Sequence, residues 1–240
     1  MLRITVVNTK GGCGKTTIAT SLASYFASTG FRTTLMDYDP QGSSRRWLEL
    51  RDDDLPAIKS IDAVRQKAGL TRSWQIHAGF DTEVLVVDTP AGISGSQMIE
   101  LLRQTDVVLV PVMQSAIDIQ ATADFIDQLM RVGKVTAQKK KIGLIANRTR
   151  PDARSYNTLE QFLEGYDLPV VARIHDSQNY LNAMEQGQGI HEYHSESITK
   201  DREQWSSLIK WLGFGSLNVA PIQQPEAISP PLSLENAVSC

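Results

Sequence analysis

Short apolar runs alternate with longer segments of helical period along most of the chain. "LRITVVN" at 2–8, "TTLMD" at 33–37, "EVLVVD" at 83–88, "DVVLVPV" at 106–112, "KIGLIAN" at 141–147 and "PVVARI" at 169–174 are brief, β-branched and apolar on successive positions. A strand with one wet face alternates apolar and polar residues, so these runs predict strands buried on both faces of a parallel sheet. Between them, 15–29, 43–50, 95–104, 117–132, 155–165 and 177–186 predict helices. The alternation implies right-handed βαβ units and an α/β fold, a doubly wound, mostly parallel sheet with helices on both faces. Ligands of such sheets bind beyond the carboxyl ends of the strands. No internal repeat is visible.

The pattern stops after Trp211. From Ser216 to Cys240 the chain carries Pro221, Pro225, Pro230 and Pro231, no Lys or Arg, and no sustained period. This reads as one domain over 1–213 followed by a flexible tail, 214–240. With 240 residues and 41% hydrophobic content, one substantial core is the expectation. The net charge of −3 predicts no strong overall attraction to nucleic acid, which leaves only a local patch. Cys13 and Cys240 sit at opposite ends, giving neither metal-ligand spacing nor a disulfide framework, and a reducing cytoplasm is the simplest home. Neither a signal peptide nor a run of about 18 apolar residues is present, and Cys240 cannot head a prenylation signal. A tail without cations also argues against a membrane-lying amphipathic helix.

Against this background one stretch carries chemistry. In "NTKGGCGKTT", residues 8–17, an apolar strand runs into a glycine-rich turn and then a helix, which aims backbone N–H groups and the positive end of the helix at one point. Gly11, Gly12 and Gly14 let the backbone approach phosphate oxygens, Cys13 contributes its N–H, and Lys15 adds a point charge for the β- and γ-phosphates. Thr16 offers a hydroxyl to Mg²⁺ and Thr17 reaches the α-phosphate side. The ordinary phosphate loop has glycine where Thr9 stands, and nothing in its chemistry explains Lys10.

"KGGCGKTT" resembles the deviant Walker A signature of the ParA/MinD family of dimeric ATPases, and "LMDYDPQG" and "LVVDTPAG" resemble that family's two further nucleotide motifs in the same order. The resemblance spans roughly 1–213. It implies a P-loop NTPase that binds ATP and Mg²⁺ and forms a homodimer with ATP, in which Lys10 reaches the nucleotide of the partner subunit. It further implies that Asp39 orients the attacking water and that Asp37 helps to hold the Mg²⁺ shell. Asp88 closes "EVLVVD", where a Walker B aspartate belongs, although capping the next helix is a second role open to it. Asn147, at the end of another strand, can pair with an adenine edge as in the family, or form a turn. Slow turnover until a partner completes the site is the kinetic expectation.

The segment 131–154 holds eight basic residues, Lys139, Lys140, Lys141, Arg148, Arg150 and Arg154 among them, against the single acid Asp152. Members of the ParA type bind DNA without sequence preference as ATP dimers, so this run is a candidate DNA surface, with Arg173, Lys200 and Arg202 as extensions. A solvated lysine face is the plain alternative. No arginine occurs between His175 and Tyr193, unlike the chromosomal members, and "DPQGSSRRW" looks more like the small ParF-like and McdA-like positioning ATPases. With the phosphate loop beginning at residue 9, an N-terminal operator-binding domain is not expected. The leading reading is a cytoplasmic, nucleoid-associated ATPase that positions a plasmid, chromosome region or carboxysome with a ParB-like or McdB-like adaptor, away from membranes. A MinD-like membrane switch and a P-loop metabolic synthetase are the alternatives.

Overall fold

The computed structural model describes residues 1–64, 78–79, 81–136 and 140–215. Seven strands form one sheet: β1 (Leu2–Val6), β2 (Thr33–Asp37), β3 (Ile58–Asp62), β4 (Val84–Asp88), β5 (Val107–Val112), β6 (Lys141–Thr149) and β7 (Val170–His175). Their order is β3-β2-β4-β1-β5-β6-β7, and every pairing is parallel. Eight helices are found among the described residues: α1 (Lys15–Ser28), α2 (Ser43–Glu49), α3 (Gly95–Gln104), α4 (Ala116–Thr136), α5 (Arg154–Glu164), α6 (Gln178–Glu185), α7 (Ile198–Glu203) and α8 (Ser206–Leu212). The fold is the α/β doubly wound sheet that the apolar runs predict.

Alternate residues of each central strand feed two separate cores. Val84, Val86, Val107 and Leu109 pack with α1, α6 and α8, while Leu85, Val87, Val108 and Val110 pack with α3, α4 and α5. Continuous apolar runs are the consequence of covering both faces. α1 is buried almost all round, from Ile18 to Ala27, because it crosses the centre of one face.

Three elements lie outside the sequence expectations. β3, "IKSID", buries only Ile61 and among the described residues pairs only with β2, so an edge strand has no apolar run to announce it. α7 and α8 are short, and Leu208, Ile209 and Leu212 of α8 seal the end of one core. Phe214, counted with the tail, packs edge-on against Phe26 and Phe31. The rest of the predicted tail, 216–240, falls outside the described residues, as does Lys139.

A buried ion pair ties α2 to the segment after α6. Arg51 donates to both carboxylate oxygens of Glu192 at 2.8 Å, with side chains 7% and 0% exposed. Arg51 also bonds the carbonyls of Gly187 and Pro56 and stacks on Trp47, whose indole N–H donates to Gln188 O. Glu192 in turn accepts the Gly189 N–H and the Ser28 hydroxyl. Every charge in this cluster is met, which is the condition for burying it.

His191, next to Glu192, is fully buried between Tyr25 and Trp205, and neither ring nitrogen has a hydrogen-bond partner among the described residues. Burial, helped by Arg202, lowers its pKa from 6.5 to about 3. The native chain therefore keeps this ring neutral while the unfolded chain protonates it below 6.5. The associated stability is complete above that pH and declines toward pH 3, by up to about 1.4 kcal/mol per pH unit. Replacing His191 with Phe is expected to flatten the melting temperature between pH 4 and 6, checked by thermal denaturation; parallel curves for the two proteins would remove His191 as the cause.

Candidate functional site

The strand register places three chain segments side by side. Asp37 at the end of β2 pairs with Asp88 at the end of β4, and Asp88 pairs with Val6 at the end of β1, where the glycine-rich turn begins. Local bonds lock the junction. Tyr38 N–H donates to Asp88 O, Gly92 N–H to Thr9 O, and the Thr89 hydroxyl to Val6 O. Asn8 anchors the turn from below through Pro111 O and the Thr122 hydroxyl.

Gly12 (φ 75°) and Gly14 (φ 90°) adopt the left-handed conformation that side chains disfavour. Gly14 has a second constraint, since a Cβ there would lie 2.2 Å from Asn147 Nδ2. Among the described residues no side chain caps α1, so its first-turn N–H groups face the cleft bordered by Gly11, Gly12, Thr16 and Thr17. Lys15 is buried and its ammonium donates to Lys10 O at 2.9 Å. Cys13 is buried beneath the turn, its thiol donating to Lys10 O at 3.2 Å, and burial raises its pKa. The glycine turn is thus folded around its own carbonyl at residue 10.

The carboxylates differ in environment. Asp37 is buried and accepts the N–H groups of Asp39 and Arg45, at 2.8 and 3.1 Å, which fixes the catalytic-loop candidate 37–42 and starts α2. Asp39 is half-buried, accepts Gln41 N–H at 2.9 Å and borders the same cleft as the glycine turn. Asp88 is fully buried and neither of its oxygens has a hydrogen-bond partner among the described residues. Burial pushes its pKa up to about 7, with Asp37 adding to the rise and Thr16 and Lys15 opposing it. The Thr16 hydroxyl lies near enough to lower the pKa of this carboxyl as a weak hydrogen-bond donor, without a well-formed bond to either oxygen. A buried, unpartnered carboxylate beside a threonine hydroxyl fits a hydrated magnesium ion, a hard cation that keeps several waters.

The cleft, about 410 Å³, extends from the glycine turn to a far wall that the sequence reading does not resolve. Arg148, at φ 51°, and residues 174–177 with Tyr180 and Leu181 form that wall. Its one local signal is Ser177, which caps α6 by accepting the Asn179 N–H. Asn147 stands between wall and turn, but its amide nitrogen donates to Cys13 O at 2.8 Å, leaving Oδ1 as the group free of that bond.

Two expectations look different in three dimensions. Lys10 turns toward its own chain, with Nζ 3.4 Å from Asp118 Oδ1 at the start of α4. The basic run is not a single patch. Lys140 and Lys141 lie at the amino end of β6, and Arg148, Arg150 and Arg154 at its carboxyl end, about 26 Å apart for a nine-residue strand. Most of these cations are also engaged. Lys140 donates to Thr105 O and Lys141 lies over Trp211, while Arg148 and Arg150 share Asp176. Arg173 pairs with Glu160, and Arg202 donates to the carbonyls of Ile190 and Tyr193. Arg154 and Lys200 are exposed.

Comparison with known proteins bears on the family and the fold. Residues 4–190 match the model of the CobQ/CobB/MinD/ParA nucleotide binding domain. The maintenance of carboxysome distribution protein A of Halothiobacillus neapolitanus is 29% identical over 189 residues, covering 77% of this chain and 84% of that protein. Among solved structures, the MinD cell division protein of Aquifex aeolicus superposes with a TM-score of 0.68 at 16% identity, over 89% of this chain and 98% of the other. The McdA–ATP complex from Cyanothece gives 0.67 at 15%, over 90% and 98%. Among the described residues, no helix is long and apolar enough to cross a membrane.

The reading of Asp88 as a magnesium ligand predicts a measurable dependence on metal. Its raised pKa means that the native chain holds a proton that the unfolded chain releases above about 4. That contribution is lost as pH rises through 7, after which an unpaired charge is buried. At pH 8 without magnesium, Asp88→Asn is expected to raise stability by about 2 kcal/mol, or about 5 °C in melting temperature. The same variant is expected to lose the extra stabilisation by Mg-ATP over ATP. Identical melting curves and identical magnesium responses for the two proteins would contradict the assignment.

Proposed function

This chain belongs to the CobQ/CobB/MinD/ParA nucleotide-binding domain family, and from that premise we propose that it is an ATP-dependent dimerising ATPase that positions an intracellular cargo. The observation that carries the reading is the convergence of the lysine-bearing glycine turn with Asp37, Asp39 and Asp88 at neighbouring strand ends. The relative named for carboxysome distribution supports the positioning role.

In this reading the N–H groups of the turn and of α1 hold the phosphates, with the Lys15 ammonium at the β- and γ-groups. Thr16 and Asp88 hold the magnesium ion, and Asp37 orders its surroundings through the loop it pins. When bound, the ion neutralises charge that develops on the phosphoryl oxygens. Asp39 accepts a hydrogen bond from the attacking water and directs it along the line of displacement. Lys10 crosses to the nucleotide of a second copy. Two copies then trap two nucleotides, and a cargo adaptor of the ParB-like or McdB-like kind accelerates turnover.

DNA binding follows from the dimer. The cleft opens at the carboxyl edge of the sheet, and Arg148, Arg150 and Arg154 lie on that edge, so pairing two copies doubles the local positive charge there. Lys140 and Lys141 lie at the opposite edge and are assigned no DNA contact. The protein would then reside on the nucleoid in its ATP form and in the cytoplasm after hydrolysis.

The reading is tested with the Asp39→Ala chain. Phosphate release is expected to fall about 100-fold, while sedimentation shows a dimer with ATP and a monomer with ADP. Retained turnover in that variant, or a monomer at saturating ATP, would count against it. The DNA surface is tested separately by binding across a salt series. With ATP, Arg150→Ala is expected to reduce the salt slope by about one unit per chain and Lys141→Ala to leave it unchanged; the reverse ranking would move the surface to the other edge.

A further inference from the structure

The Lys10 side chain has a second partner in its own chain, and the surroundings of that partner are built in detail. Asp118 lies in the first turn of α4, and its side chain is only 11% exposed, against 35% for Lys10. One carboxylate oxygen lies 3.4 Å from Lys10 Nζ, and the other accepts the Ser115 hydroxyl at 2.5 Å. Ser115 also accepts the Asp118 N–H at 3.2 Å, so the carboxylate is fixed by the cap of its own helix. The Thr122 hydroxyl donates to Asp118 O, and Thr122 in turn accepts from Asn8, which also receives the Lys10 N–H. The glycine turn and α4 are thus linked twice, by a neutral chain of bonds through Asn8 and by the Lys10–Asp118 ion pair.

We infer that Asp118 is a positioning residue that holds Lys10 within its own subunit and so sets the ATP concentration at which two copies close. The inference rests on the reading of Lys10 as the residue that crosses to a second copy. A single ammonium cannot remain at Asp118 and also reach another subunit's nucleotide, so dimerisation competes with the internal pair. The competition is tuned. Asp118 keeps the Ser115 hydroxyl and the positive end of α4 after Lys10 leaves, and the Asn8–Thr122 bonds keep the turn in place. Release of Lys10 therefore costs a partly exposed ion pair and leaves the phosphate site intact. Ile117, adjacent to Asp118 in the chain, is an apolar side chain left 75% exposed.

The test is Asp118→Asn, which keeps the shape and the Ser115 contact but removes the charge. Sedimentation or light scattering of the full chain against ATP, in the Asp39→Ala background, gives the midpoint of dimerisation. Asp118→Asn is expected to lower that midpoint about three- to fivefold, with ATP affinity at sub-dimerising protein concentration unchanged. In a Lys10→Gln background, Asp118→Asn is expected to change nothing, because its effect passes through the ammonium. A purely structural role would instead weaken the dimer and would persist without Lys10. The two levels of failure separate cleanly. Without an ATP-driven dimer in the parent, the reading of Lys10 falls and takes this inference with it. With a normal dimer and an unshifted or raised midpoint in Asp118→Asn, only the inference falls. A second measurement does not depend on dimerisation: reductive methylation of Lys10 in the ADP-bound chain is expected to quicken in Asp118→Asn, and an unchanged rate would also overturn it.

Discussion

A carboxylate sealed from water, with no well-formed hydrogen bond to either oxygen among the described residues, is an expensive object, and Asp88 is one. It sits where β4 ends between β2 and β1, so its position is set by the register of three strands rather than by a loop. The elements around it follow from that placement. Asp37 arrives one strand away by pairing with it directly, the glycine turn leaves from the strand on the other side, and Tyr38 and Gly92 bind the adjoining loops to the same junction. The sheet therefore supplies both the rigidity and the charge of the site, and the loops only complete it.

The parts of the fold legible in the sequence are those in which burial leaves one interpretation. Strands β1, β2, β4, β5 and β6 are covered on both faces and read as largely apolar runs, β7 reads so despite its exposed Arg173 and His175, and the glycine turn combines a strand, a helix start and a lysine in one order. β3 is not legible, because an edge strand with Lys59 and Ser60 exposed has the composition of a loop. α7 and α8 are each barely two turns long, too short for a period to emerge. The far wall of the cleft comes from a strand end and a helix start whose residues carry no shared motif, so only topology brings His175 and Tyr180 to the turn.

Charge is the instructive case. The run 131–154 looks like a basic patch because a sequence is one-dimensional, and a strand in its middle carries the two halves to opposite edges of the sheet. Asp176 then appears from a distant part of the chain to hold Arg148 and Arg150 together. Lys10 shows the same effect in miniature. Its sequence neighbours identify a phosphate loop, yet the group it touches, Asp118, is more than a hundred positions away and carries no motif of its own. Spacing along a chain predicts chemistry well when the residues share one turn and poorly when a strand or helix intervenes.

The buried Arg51–Glu192 pair gives the cleft a mechanical character. It fastens the helix that follows Asp39 to the segment that follows Tyr180, so the two sides of the cleft are braced against each other from behind. A vice with its jaws welded at the back does not shut by swinging one of them. The width of the cleft is thus set by the fold itself, before anything enters it.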